Sequence, residues 1–564
     1  MIGNPEIDVV GNRQVNMDTA VRQAVTGGGQ KMLRSVVNVV LGVAFGWTVS
    51  QAGTVMAAEP KHGGALTYSF TPEPTALSTI ATTAVPTALL ATKIFESLLT
   101  YEGPSLEPKP GLAESWSVSP DRLVYTFKLR RGVKWQDGAP FTSADVKFSV
   151  EKIVKPLHAR GKIYYKHLVG VDAPDPLTAV FRLDQPVPFF LKAFQPSETP
   201  MFPEHLLGTT DLSTFRQSEF MRQPVGTGPF MLKEWKKGSY IILERNPNYW
   251  REGHPYLDRI VLRVIPDDNA RVVALRNGEI DLAPMNAVPG AMLSALKGDK
   301  SLVMSHDGSE GLGPVMGLVV NLREKPLSDN RVRQAISLAL DRKKIATVMF
   351  YGQGEPATNP IVHSNPIYYD KKLKPYEFDP AKANKLLDEA GYPRGADKTR
   401  FKLRLANLPY GASYDRLGEY VKLALGAVGI DVVLVNQDMG SWLKQVYTDW
   451  DYDLASTFFH DYSDPSIVFE QEFASSAINK GGTFNNNMDY RNPKLDRVLA
   501  EGSSESDVAK RQKLYFEAEA ILHEEMPEIF LIDQYYTNVW NKRVHGLLTN
   551  GISMYSSWDS VWVE

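Results

Sequence analysis

Phe458-Phe459-His460-Asp461-Tyr462-Ser463-Asp464-Pro465 follows Tyr452-Asp453-Leu454-Ala455-Ser456-Thr457, and these two runs decide how the chain is read. The upstream run is rich in aromatic, β-branched and apolar residues and predicts a strand. Asp464-Pro465 closes it, because proline lacks the N–H that a ladder needs and restricts the residue before it. Three aromatics, a histidine and two carboxylates therefore gather at the carboxyl end of a strand. That is where open α/β sheets bind ligands. The alternative is a polar, aromatic surface turn, since loops of this composition are common.

Working outward, Leu417, Tyr420, Val421, Ala424 and Val428 form an apolar helix face closed by Gly429. Ile430–Val435 then predicts a strand, giving a helix–strand unit that feeds the opening stretch. Farther back, Asp379-Pro380 supplies an N-cap with proline at the first helical position, and Gly391 stops that helix. Ser328-Asp329 precedes another, with Val332, Ala335, Ile336 and Ala339 on one face. Toward the carboxyl end, Leu514, Tyr515, Ala518, Ile521, Leu522 and Met526 predict a last amphipathic helix before Pro527. Before Gly313 the texture is mixed α+β. Val124–Leu129, Tyr240–Arg245 and Ile260–Ile265 predict strands, Gly132–Gly138 a strand and turn, and Thr142-Ser143 and Asp267-Asp268 helix caps. Pro/Gly-rich breaks fall at Gln223-Pro224 and Gly313-Pro314.

The 564 residues predict more than one domain. A net charge of −3 and the absence of a basic stripe argue against nucleic acid as a partner. With no cysteine, disulfides, thiol catalysis, thiolate metal sites and a lipidated N-terminal cysteine are excluded. Lys31 and Arg34 precede the apolar run Ser35–Val49, and small residues lead to Val55-Met56-Ala57-Ala58-Glu59-Pro60. This order describes a secretory signal peptide cleaved after Ala57 or Ala58. Catalytic signatures are missing: there is no G-x-S-x-G elbow, phosphate loop or H-E-x-x-H pair. Gly311-x-Gly313-x-x-x-Gly317 has the wrong spacing for a dinucleotide loop and contains Pro314. His523-Glu524-Glu525 lacks a second histidine and reads as a solvated helix face. No cofactor, metal site or enzymatic activity is expected.

Several stretches together resemble one family. They are Pro110-Gly111-Leu112-Ala113-Glu114-Ser115-Trp116, Leu129–Gly138, Gly226-Thr227-Gly228-Pro229-Phe230, Asn246-Pro247-Asn248-Tyr249-Trp250 and Asn321–Ala335. In this order, from about Gly64 to Gly546, the chain resembles the extracellular solute-binding proteins of ABC importers, in the dipeptide-, oligopeptide- and nickel-binding group (family 5). The resemblance implies an α/β (mixed α+β) fold of two lobes, with an extra inserted domain and a ligand cleft between the lobes. On that pattern residues 1–58 are an N-terminal extension and signal peptide, 59–105, 222–313 and 531–564 form lobe I, 106–221 the inserted domain II, and 314–530 lobe III.

The resemblance also implies site residues. Asp461 takes the place of the aspartate that holds a peptide's α-ammonium group. Phe458, Phe459, His460 and Tyr462 stand around it, and Glu73 matches an acidic pocket residue of some oligopeptide binders. Ala406-Asn407-Leu408-Pro409-Tyr410-Gly411 lacks the arginine that dipeptide binders use there, the nearest being Arg404 and Arg416. A longer peptide or another cationic solute fits better. Histidine-rich nickel chemistry finds only His460 near the site. The expected partners are such a ligand and an inner-membrane ABC permease complex, for a monomeric, periplasmic protein that is not a lipoprotein. A secreted hydrolase and a peptide-holding chaperone or sensor are the alternatives.

Overall fold

Pro314-Val315-Met316-Gly317-Leu318-Val319-Val320 is apolar throughout, and it forms a strand with every residue buried. Such a run, covered on both faces, can lie only in the middle of a sheet. The computed structural model describes residues 59–103, 106–460 and 464–564. The extension and signal segment at 1–58, and Asp461, Tyr462 and Ser463 of the opening stretch, lie outside the described residues. Among the described residues no helix is long and apolar enough to cross a membrane.

Pro314–Val320 is the third strand of a six-stranded sheet, in the order Gly354–Pro356, Glu528–Gln534, Pro314–Val320, Leu454–His460, Phe401–Ala406, Ile430–Val435. A seven-stranded sheet runs Leu302–Ser305, Asn538–Asn541, Leu282–Ala283, Ala65–Ser69, Arg259–Arg263, Tyr240–Arg245, Phe230–Lys236. A four-stranded antiparallel sheet, Ala113–Val118, Val124–Leu129, Thr178–Leu183, Leu168–Asp175, comes from chain that leaves and rejoins the seven-stranded unit. The buried apolar residues form two cores. One spans Leu66 to Leu312 and the carboxyl-terminal strands, and the other Val315 to Ile532.

Local chemistry accounts for most elements. Asp267 accepts from Ala270 N and Asp379 from Lys382 N, each satisfying a backbone donor left over in a first helical turn. Gly391 and Gly429, at φ 88° and 89°, take the left-handed conformation just after helices Pro380–Glu389 and Ala412–Ala427.

Three expectations are corrected. Gly132–Gly138 is not a strand: Trp135 N bonds to Ala139 O at 2.8 Å, Asp137 Oδ1 accepts from Ala139 N, and one bridge, Lys134 to Pro140, replaces a ladder. The strand of the opening stretch is Leu454–His460, so Phe458, Phe459 and His460 belong to the sheet rather than to a turn. Pro314–Val320 offers a partner as far as His460, which single-strand propensity does not reveal. His523-Glu524-Glu525 is not a wholly solvated face. The His523 ring packs 4.8 Å from Tyr376, and Glu525 accepts from Tyr490 Oη at 2.7 Å and Asn492 Nδ2 at 2.8 Å.

Where the chain rejoins the seven-stranded unit, Gly228 N donates to Ile94 O, and Gln136 bonds to Gly226 N and to Phe230 O. A Cβ on Gly226 would lie 1.9 Å from the Ile94 carbonyl oxygen. Gly226→Ala therefore forces two backbones apart. It is expected to lower stability by roughly 1–3 kcal/mol or more, read as a lower denaturant midpoint. A midpoint equal to the parent's would show that the Ile94 segment yields freely.

Candidate functional site

In the six-stranded sheet His460 lies opposite Pro314, and Val315 opposite Asp533. The aromatic strand end therefore sits at the edge where the chain passes between the two large sheets, from Ser305 to Pro314 and from Gln534 to Asn538. At that edge lies a cleft of ≈170 Å³ walled by both cores. Phe70–Pro72, Val85, Arg271 and Asn286 come from one side, and Gln353, Pro409–Tyr414 and Phe458 from the other. Gln534 and Tyr536 of the crossing segment complete it. A smaller chamber of ≈40 Å³ shares Val85, Tyr410 and Phe458 and adds Arg160, Phe459, His460, Gln471 and Glu472. A larger depression of ≈570 Å³ lies elsewhere, between Gln136-Asp137, Arg222–Val225 and Met231–Lys237. None of its lining comes from the six-stranded unit, whereas an enclosing ligand site draws its walls from facing elements.

Phe458 is half-buried, packs on both cores and meets Tyr410 edge-on at 5.3 Å. Phe459, on the opposite face of the strand, is buried between Phe473 and Phe530 with only its margin toward the small chamber. His460 is buried; its Nδ1 bonds to Leu312 O and its ring lies 5.9 Å from Tyr536. Burial pushes its imidazole down to about 4, so it is neutral at pH 7. Burial also pushes Glu472 up to about 8, with the Arg160 charge opposing. Arg160 itself is held bidentately by Glu198 at 2.6 and 2.7 Å. On the other wall Arg271 donates to Ala287 O and Ile265 O at 2.6 Å each and pairs with Asp268.

Of the expected site residues, Phe458 lines both the cleft and the small chamber, whereas Phe459 and His460 line only the small chamber. Asp461 and Tyr462 lie outside the described residues. Glu73 sits apart, accepting from Trp235 Nε1 at 2.8 Å and Gly238 N at 2.9 Å, on the hairpin of Phe230–Lys236 and Tyr240–Arg245. It lines neither chamber. Arg404 pairs with Asp451 and Asp453, and Arg416 lies over the Tyr351 ring. Tyr410, Tyr414, Arg160 and Arg271 were not picked out as site residues by sequence reasoning. The Pro409-Tyr410-Gly411 turn was a usable signal for the first two, but nothing local marks the two arginines.

The family model for bacterial extracellular solute-binding proteins, family 5 (middle), matches residues 107–480. The chain belongs to that family. The glutathione-binding protein GsiB of Escherichia coli (strain K12) is 30% identical over 451 residues, covering 77% of this chain and 82% of GsiB. The oligopeptide-binding protein AppA of Bacillus subtilis, solved with a nonapeptide, superposes with a TM-score of 0.81 at 26% identity, over 90% of this chain and 100% of AppA. NikZ of Campylobacter jejuni, solved with Ni(L-His), gives 0.75 at 26%, over 86% and 96%. Family 5 solute-binding proteins take up peptides or related solutes for ABC importers and are periplasmic in Gram-negative bacteria. These relatives are binding proteins, not enzymes.

In this family 5 protein Asp464 has a structural task. It caps helix Pro465–Glu472 by accepting from Ser466 N, and it holds Arg511 at 2.7 and 2.9 Å, both side chains being about 95% buried. Burial alone would raise its carboxyl, but the Arg511 charge and hydrogen bonds bring it below the ordinary value. With the folded value depressed, the stabilisation is present above about pH 4 and is lost as pH falls further. Asp464→Asn leaves the Arg511 charge buried and uncompensated, an expected loss of about 3–5 kcal/mol in thermal or denaturant unfolding. A variant as stable as the parent would remove Asp464 as the anchor of this helix.

Proposed function

We propose that the cleft captures a peptide, or a related small solute with a cationic amine, and that the chain hands it as a monomer to an inner-membrane ABC permease complex without chemical turnover. The observation that carries this reading is Phe458, which packs on both cores and lines both chambers, so that contact with a ligand there engages both units at once. Asp461 directly follows His460 and supplies the carboxylate for the ammonium group. With Tyr462, it completes the site begun by Phe458, Phe459 and His460. Support comes from the neighbouring charges: Arg160 pairs with Glu198 and Arg271 with Asp268, so both arginines lining the two chambers among the described residues already have carboxylate partners. A cleft of ≈170 Å³ is smaller than the roughly 300–1,000 Å³ of common ligand sites. A tripeptide therefore enters only if the two units part, and the adjacent crossings suit a hinge.

GsiB makes glutathione the first ligand to test, with tri- to nonapeptides and nickel–histidine alongside it. In calorimetric titration the best of these is expected to bind about 10- to 150-fold more weakly to Asp461→Asn, the equivalent of about 1.5–3 kcal/mol for a charge-assisted hydrogen bond. The melting temperature of that variant should stay near the parent's. Unchanged affinity, or a neutral sugar as the best ligand, would refute the ammonium contact.

The same reading has the mature protein in the periplasm, freed from a signal peptide; with no cysteine in the sequence, it cannot carry a lipid on an N-terminal cysteine. Intact-mass measurement of the exported form is expected to show a new N-terminus at Ala58 or Glu59. A membrane-bound product that still carries the apolar run Ser35–Val49 would contradict it.

A further inference from the structure

Glu355, His363 and Asp533 form a cluster outside the cleft, and none of the three lines either chamber. Glu355 and Asp533 face each other directly across the antiparallel pair Gly354–Pro356 and Glu528–Gln534. Two carboxylates placed directly opposite on neighbouring strands repel and destabilise the pairing unless something cationic stands between them. No lysine or arginine does so among the described ion pairs, in which His363 alone meets both acids. Its Nδ1 lies 2.6 Å from Asp533 Oδ2 and 3.6 Å from Glu355 Oε1.

We propose that these three side chains form a binding site for one divalent first-row transition metal, of which Zn²⁺ is the representative probe. The donor set of one imidazole nitrogen and two carboxylates suits such ions, and its formal charge of −2 matches theirs. Tetrahedral zinc bonds of about 2.0–2.2 Å to N and O place neighbouring donors roughly 3.3–3.6 Å apart. Three donor atoms already within 4.8 Å of one another need only small rotations to reach that spacing.

The surroundings fix the ligands in the way metal sites require. His363 N donates to Asp533 Oδ2 at 2.7 Å, and the Tyr535 hydroxyl donates to Glu355 Oε1 at 2.7 Å. The imidazole packs 4.2 Å from the Tyr369 ring. Asp533 forms a buried floor, while the His363 and Glu355 side chains are 31% and 43% exposed, which leaves a path for the ion. On binding, Nδ1 exchanges its hydrogen-bonded proton for the metal. A neutral ring, whose single proton the Asp533 carboxylate holds on Nδ1, loses it from Nδ1 and takes one up on Nε2 through solvent, with no net release; a ring protonated on both nitrogens releases the Nδ1 proton to solvent. Asp533 belongs to the strand that leads into the second crossing, so a bound ion would tie the edge strand and the His363 loop to that strand.

The test is calorimetric titration of the full chain with ZnCl2 at neutral pH after treatment with a chelator, with melting curves with and without Zn²⁺. One Zn²⁺ per chain is expected, with a rise in melting temperature. Affinity should fall about tenfold or more in His363→Ala and in Glu355→Gln, and the melting shift should vanish in the former. Co²⁺ should show imidazole ligation in its visible spectrum, lost in His363→Ala. Glu355→Gln, at a half-exposed position on an edge strand, carries the test if His363→Ala does not fold. No binding to the parent, or the same affinity in a folded variant, would reduce the cluster to a hydrogen-bonded histidine–carboxylate group.

Discussion

Main-chain hydrogen bonding along Pro314–Val320 sets the position of nearly everything that faces the cleft. Both of its neighbours run antiparallel to it, so its first residues lie beside the last residues of each. One neighbour ends in Phe458-Phe459-His460 and the other in Asp533-Gln534. A slip of one residue would turn every side chain to the opposite face. A strand buried along its whole length gives no freedom for that. The two chain crossings and the aromatic strand end are consequently neighbours, although they are far apart in sequence.

Among the described residues, charge near the cleft is handled largely by pairing or by burial. Arg160 with Glu198, Arg271 with Asp268 and Asp464 with Arg511 leave few formal charges uncompensated. Buried pairs of this kind add little net stability, because desolvation offsets most of the attraction, but losing one member is costly. Burial keeps His460 neutral and Glu472 protonated at neutral pH. The described wall of the small chamber is therefore held by hydrogen bonds and aromatic packing more than by free charge. In such a setting one additional carboxylate would dominate the local field.

What the sequence made legible was local. The caps at Asp267 and Asp379 and the stops at Gly391 and Gly429 need only a few adjacent residues to be recognised. Apolar periodicity likewise marked the helices Asn330–Leu338 and Val508–Glu525. The end of Leu454–His460 was misread because its extension depends on a partner strand about 140 residues earlier in the chain. Arg160, in a turn, and Arg271, on helix Asp268–Arg276, were invisible for the same reason: an arginine reads as solvated until a distant element covers it. Glu73 looked free in sequence, yet Trp235, 162 residues on, donates to it. The family resemblance added order along the chain, which no single motif could supply, and it drew attention to the strand end that the fold places at the cleft.

The strand order carries a consequence for assembly. Asn538–Asn541 lies inside the seven-stranded sheet, between Leu282–Ala283 and Leu302–Ser305. While the chain emerges N-terminus first, those two segments have no common partner, and the edge beside Leu282–Ala283 stays open. Local contacts form early, but this non-local pairing waits for the end of the chain. The unit that begins first is thus completed last.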